Sequence, residues 1–315
     1  MKTLKRPFIL ALILVVTIAL TSGCSLQRHF ALRQMADFFE KVERNPVTRT
    51  PEEAGLEFEK ISFKSLDDVN LSGWYIPSNG SDKLVIFNHF MLGNKAGAAP
   101  HEDWGNISVD FIPIYKHLVN AGYNVFTYDL RNHGESDVYK DGRLGLTHTE
   151  YQDVVASVRY VKKQFPEKKL YLYSQCYGTV STMRAMEKHP EDFRAIRAFI
   201  NVQPLTPEGF VTGVTRKFDM EHEDNLTIFG NRLKKKTGYD LAQLEVPANS
   251  VKVPTLLVQV HDDWRTTVGS IEDIYANLGT NDKKMLWIEN EDERLEGYNY
   301  FARNPEEMIE WLDNH

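Results

Sequence analysis

The chain carries only two cysteines among its 315 residues, Cys24 and Cys176. So few thiols exclude a disulfide-stapled scaffold, and no cysteine or histidine spacing of a metal site occurs. Its apolar run from Phe8 to Leu20 falls short of the ~20 residues that a membrane-spanning helix needs. There is no basic excess either. Lysine and arginine number 37 against 44 acidic residues, a formal net charge of −7, which argues against nucleic acid as a partner. Internal repeats and low-complexity tracts are absent. What is present is an ordinary globular composition, 42% hydrophobic and 26% charged, long enough to bury a full core in one or two domains.

The N-terminus departs from that composition. Met1-Lys2-Thr3-Leu4-Lys5-Arg6 is basic, Phe8 to Leu20 is apolar, and Leu20-Thr21-Ser22-Gly23-Cys24 follows. This order resembles a bacterial lipoprotein signal, in which the cysteine is lipidated and becomes the new N-terminus. The resemblance implies a signal peptide over 1–23, lipid on Cys24, and a tether with a short amphipathic helix over 24–54. An uncleaved N-terminal anchor is the alternative. Ser25 is not the aspartate associated with inner-membrane retention, so an outer-membrane, periplasm-facing location is expected in a Gram-negative host. Cleavage removes Lys2, Lys5 and Arg6, making the mature chain more acidic and leaving Cys176 its only unmodified thiol.

Beyond Pro51 the pattern alternates. Strand periodicity over 56–63 and 71–76, with Asp67-Asp68-Val69-Asn70 between them, predicts an antiparallel hairpin. Compact apolar strands are predicted at 83–88, 124–128, 170–173, 198–202, 255–260 and 284–288. Helical spacing marks 110–120, 150–165, 179–189 and 305–312. A hairpin followed by alternating strands and helices predicts a mostly parallel sheet with helices on both faces. About fifty residues between Pro204 and Val253 interrupt the alternation. Their basic run Arg232 to Lys236 reads as a solvated helix face.

One stretch carries the chemistry. Leu170-Tyr171-Leu172-Tyr173 is a buried strand, and Ser174-Gln175-Cys176-Tyr177-Gly178 turns it into a helix. A strand that bends sharply into a helix presents its turn residue beneath the helix's first N–H groups. The turn resembles the nucleophile elbow G-x-S-x-G of α/β-hydrolases, with Ser174 for the first glycine and Cys176 for the serine, as in dienelactone-hydrolase-like members. Asp129-Leu130-Arg131-Asn132-His133-Gly134-Glu135-Ser136 resembles the D-x-R-x-H-G-x-S stretch after the fourth strand of that fold. Asn88-His89-Phe90 stands where His-Gly usually precedes the oxyanion loop. The resemblance covers most of 55–315 and implies an α/β-hydrolase fold with a lid or cap at about 205–253.

The same resemblance implies site roles. Cys176 is the expected nucleophile, with the backbone N–H of Tyr177 and that of Phe90 or Met91 as oxyanion donors. Asp263, with Asp262 beside it, falls at the triad acid after strand 255–260. The triad histidine belongs in the loop after the last strand, yet 289–297 holds five acidic residues and no histidine. Without an imidazole a serine would be nearly inert, whereas a few per cent of cysteine is thiolate at neutral pH. His261 and His101 are the candidate replacements. His89 and His148 lie on the same edge, and His133 reads as structural.

Two functions follow. One is an envelope-anchored hydrolase acting on an ester, lactone or thioester through Cys176, with Asp263 and His261 as acid and base. The other is a non-catalytic lipoprotein that binds a small ligand or a protein partner in the inherited pocket, as the missing histidine suggests. The expected partners are a small acyl-type substrate and the membrane, reached through the lipid on Cys24. No metal and no cofactor is implied.

Overall fold

The computed structural model describes residues 25–100 and 106–315. Eight strands form one sheet: β1 (Glu59–Lys64), β2 (Asn70–Ile76), β3 (Lys83–Asn88), β4 (Tyr123–Tyr128), β5 (Lys169–Gln175), β6 (Ile196–Val202), β7 (Thr255–Val260) and β8 (Lys283–Ile288). Their spatial order is β1-β2-β4-β3-β5-β6-β7-β8. β2 runs antiparallel to β1 and β4, and every later pairing is parallel. The parallel strands therefore deliver their following loops to one edge of the sheet, where side chains of distant segments meet.

Helices cover both faces. On one lie α3 (Tyr151–Gln164) and α4 (Tyr177–Lys188); on the other lie α2 (Ile112–Asn120) and α10 (Glu306–Asp313). Period-two alternation feeds both layers. Leu170 and Leu172 of β5 point into the first core, Tyr171 and Tyr173 into the second. Both are buried, which is why β3 to β7 read as near-continuous apolar runs rather than as alternating ones.

The hairpin's first strand starts later than its periodicity predicts. Leu56 is buried, but its N–H bonds Pro51 O after the turn at Gly55, so the chain joins the ladder only from Glu59. Among the described residues, helix α1 (Ser25–Phe38) comes first and is docked on the domain. Ala31, Leu32, Met35 and Ala36 form its buried side. The segment that follows runs past the loop after β3, where Asn94 Nδ2 donates to the carbonyls of Asn45 (3.2 Å) and Pro46 (3.1 Å).

Between β6 and β7 stand α5 (Pro207–Lys217) and α6 (Asn225–Thr237). The basic run of α6 is not a free solvated face. Arg232 makes a two-pronged pair with Asp37 at 2.6 Å, and Lys236 bonds Glu40 at 2.7 Å. No helix among the described residues is long and apolar enough to cross a membrane.

Candidate active site

Cys176 stands between β5 and α4 with φ 48° and ψ −106°. A non-glycine residue in such a sparsely populated region costs of order 1–3 kcal/mol, held here by the surrounding structure. Its N–H bonds Val202 O of the neighbouring strand (2.9 Å), and its carbonyl accepts the Val180 N–H (3.1 Å). Cys176 as a residue is half-buried, packed against the second core. Tyr177 and Gly178 open α4, so their N–H groups have no partner within the helix's first turn and lie beside the sulfur-bearing residue.

Two features of the turn follow from close packing. Ser174, in the place of the first glycine, bonds Asn88 Nδ2 (2.8 Å) and Thr182 Oγ1 (2.9 Å), locking the elbow to β3 and α4. Gly178 is a steric requirement. A Cβ there would lie 2.6 Å from His89 O and 2.7 Å from Asn88 O, both rigid backbone atoms. Gly178→Ala is expected to cost about 1–3 kcal/mol, measured by urea unfolding. A cost near zero would contradict this packing.

The acid position is buried. Asp263 accepts from Gln259 Nε2 (3.1 Å), from the N–H of Arg265 (3.0 Å) and from Arg294 Nη1 (2.5 Å). Arg294 comes from the loop after β8, where the family resemblance puts the histidine, and opens α8 (Arg294–Tyr298). It too is buried. Its Nε donates to Tyr298 Oη at 2.8 Å, and its Nη2 donates to Gln203 O. Gln203 returns a bond from Nε2 to Arg294 O at 2.6 Å.

Tyr298 neighbours Cys176, and the two side chains act on each other electrostatically. Its ring stacks on Phe90, with centroids 4.6 Å apart. A chain Asp263–Arg294–Tyr298–Cys176 thus occupies the ground of an acid–histidine–nucleophile triad.

Charge decides what this chain can do. Burial by itself pulls Arg294 down, but Tyr298, Asp263 and Cys176 reverse that and hold its pKa well above the ordinary value, so the guanidinium stays charged. Burial, opposed by Arg294 and aided by Cys176, pushes Tyr298 well up, so the phenol keeps its proton. Arg294 donates to the phenol oxygen, which leaves the Tyr298 O–H free to act as a donor beside Cys176. Neither group accepts a proton at neutral pH. Together they supply a fixed donor backed by a positive charge, in place of a base.

Among the described residues, the histidines considered as replacement bases are engaged elsewhere. His261 Nδ1 bonds Asp262 at 2.7 Å, and its ring packs edge-on to Trp287 of the edge strand β8, outside the Asp263–Arg294–Tyr298 chain. His148 bonds Gln243 O and stacks on Tyr239. His101 lies outside the described residues. His89 is fully buried. Its Nδ1 faces Phe90 O (2.7 Å), and its Nε2 accepts the Leu130 N–H (2.9 Å). His133 spans the carbonyls of Arg131 (2.7 Å) and Met91 (2.6 Å), pinning the loop that carries Phe90 and Met91.

Burial holds both His89 and His133 below the ordinary imidazole value of 6.5, His89 well below it. The unfolded chain then takes up protons first, so their contribution to stability is full above about pH 6.5 and is lost as pH falls. Going from pH 7.5 to 5 is expected to cost roughly 2 kcal/mol through His89 alone, and His89→Gln flattens that slope in urea titrations. A parent slope equal to that of the variant would refute it.

Sequence reasoning passed over Arg294 and Tyr298. The signal was there: Arg294 is the single basic residue in an acidic loop. Two of the five acids are themselves paired. Glu293 Oε2 pairs with Arg265 (2.9 Å) and Glu296 with Arg303 (2.7 Å), so they do not converge on the thiol.

A family model described as alpha/beta hydrolase fold matches residues 83–218. No curated protein sequence matches the chain. Among solved structures, an esterase of Pyrococcus furiosus is similar at 21% identity and TM-score 0.64, over 88% of this chain and 97% of that one. An acylaminoacyl peptidase of Pyrococcus horikoshii is similar at 16% identity and TM-score 0.56, over 82% of this chain and 41% of that one. A dienelactone hydrolase of Anabaena variabilis is similar at 16% identity and TM-score 0.50, over 82% and 98%. With the strand order and elbow described above, these likenesses establish the α/β-hydrolase fold.

Proposed function

We propose that this α/β-hydrolase-fold chain takes up acyl groups on Cys176 from an ester-type bond, a thioester or activated ester above all. The observation that carries the reading is the backbone of Cys176 itself, held at φ 48° in a tight strand–helix turn, with the residue only half-buried. Strain of that kind is maintained where a side chain must be presented. Relatives in fold are named as esterases and a dienelactone hydrolase, which supports an ester-type bond.

The step needs little from the protein. Cys176 sulfur, as thiolate, bonds the acyl carbon; the N–H groups of Tyr177 and Phe90 steady the oxyanion; the bond to the leaving group breaks as it collapses. A leaving thiolate departs without a proton from the enzyme, so Tyr298 and Arg294 suffice where an imidazole is missing. Hydrolysis of the acyl-cysteine requires an activated water. With Asp263 tied to Arg294, that second step is slow, and the acyl group stays on sulfur. His261 is accordingly given no role as base.

In the same proposal the insertion bearing α5 and α6 forms a lid, and the chain is held at a bacterial envelope by lipid on Cys24. The basic residues Lys2, Lys5 and Arg6, the apolar run to Leu20 and the small residues before Cys24 support the anchor.

A second reading, a binding protein without turnover, is favoured by one observation: the base's place is filled by an arginine whose donors are satisfied. Intact-mass spectrometry after incubation with a panel of acyl thioesters and p-nitrophenyl esters separates the two. A single acyl adduct on Cys176 supports acyl transfer. Its absence across the panel, with hydrolysis no faster than in buffer, leaves the binding protein.

A further inference from the structure

Helix α1 is apolar on two sides. Ala31, Leu32, Met35 and Ala36 are buried, while Leu26 is 75% and Phe30 46% exposed on the outer side, one turn apart. Only two other large hydrophobics among the described residues, Leu66 and Val138, are counted as exposed. Arg33 continues that outer side one turn further on and is also exposed. A helix with one apolar side in the core and another in water lacks a second apolar partner. A stripe of apolar residues leading into a basic one is what an interfacial helix presents to a bilayer.

The sequence says which partner. Cys24, the expected lipid-bearing residue, stands two residues before Leu26 in the sequence, so an acyl chain on it would enter the bilayer beside the exposed stripe. We infer that the Leu26–Phe30–Arg33 side of α1 lies in the bilayer interface. The apolar side chains sit at the boundary of the acyl chains, and Arg33 sits among the headgroup phosphates. This rests on the reading of Cys24 as the lipid anchor.

The consequence reaches the insertion. Arg28 bonds Asp224 and, at 2.6 Å, Asn225 at the start of α6; Asp37 and Glu40 hold Arg232 and Lys236 near its end. Phe39 wedges edge-on between Phe210 of α5 and Phe229 of α6, with centroids 5.4 and 6.1 Å apart. Clamped at both ends, α6 goes where α1 goes. The insertion that follows β6 at the Cys176 edge is therefore carried to the membrane surface, and an acyl donor of that membrane is nearer to Cys176 than a soluble one.

The test is fluorescence of the full, envelope-matured chain in vesicles of phosphatidylethanolamine with a minority of phosphatidylglycerol. Phe30→Trp puts a reporter on the outer side of α1. Glu167→Trp puts one in the exposed turn before β5, at the opposite edge of the sheet. Brominated lipids are expected to lower the added emission of F30W about twofold, since interfacial helices bury their apolar side within quenching depth, and to leave that of E167W unchanged. Equal response of the two reporters overturns the inference. The mass of the N-terminal peptide reports separately on Cys24. Acylated chain with unquenched F30W refutes the docking alone; unacylated chain with quenched F30W upholds the docking and refutes the lipid anchor; failure of both refutes both.

Discussion

Cys176→Ala is expected to abolish the acyl adduct and to lower release of p-nitrophenol or free thiol by at least about a thousandfold, since the nucleophile is the one group the reaction cannot lose. Cys176→Ser is expected to fare almost as badly. A hydroxyl needs a neighbouring base to become a nucleophile, and the chain from Asp263 ends in Arg294 and Tyr298, which accept no proton at neutral pH. Tyr298→Phe removes the O–H donor nearest in kind to the lost base and should slow loading about tenfold if it serves the developing charge, the worth of a hydrogen bond to a charged acceptor. Stopped-flow loading and intact mass measure all three. Equal rates from parent and Cys176→Ala would sink the nucleophile, and with it the acyl-transfer account.

The second large effect concerns stability. Asp263 and Arg294 are both buried and bonded to each other, so removing either leaves a charge in a medium that solvates it poorly. Asp263→Asn and Arg294→Met are each expected to cost about 3–5 kcal/mol in urea unfolding. The double variant should return to within about 2 kcal/mol of the parent, the remainder reflecting Gln203 O and Tyr298 Oη left without their donor. Losses that simply add would mean that the two residues do not act as a pair. The cycle also bears on chemistry: an acid committed to neutralising a buried arginine is not free to orient an imidazole.

Gly297 shows how tightly this arrangement is built. A Cβ there would fall 2.3 Å from Gln203 Nε2 and 2.6 Å from Val260 Cγ2, so only glycine lets α8 approach the ends of β6 and β7 closely enough to bury Arg294. In the sequence it is one more small residue in a polar loop. Only its neighbours in space, drawn from two earlier segments of the chain, give it a reason.

The elements themselves were largely legible. Buried parallel strands announce themselves as short apolar runs, and the run through Leu170-Tyr171-Leu172-Tyr173 into Cys176 and Gly178 fixes a strand–turn–helix before any coordinates are known. These features depend on a residue and its immediate neighbours: side-chain period, β-branching, the demand for a glycine beside a tight crossing. The mostly parallel sheet and the place of Cys176 at its edge came from that local information.

Which side chains meet at that edge was a different matter, because partnership across a sheet depends on position in three dimensions. His261 looked like a base from its place beside Asp262 and Asp263, yet it turns to Asp262 and Trp287. Arg294 had no role assigned from the sequence, yet the parallel strands bring its loop over Asp263, where burial makes pairing compulsory. Arg232 and Lys236 likewise find Asp37 and Glu40 nearly two hundred residues earlier. The sequence alone determined the sheet, the elbow and its lone thiol, since those follow from local pattern. Only the tertiary structure decided that a buried cation occupies the partner's place on Asp263, because a charge taken out of water must find whichever opposite charge the fold places beside it.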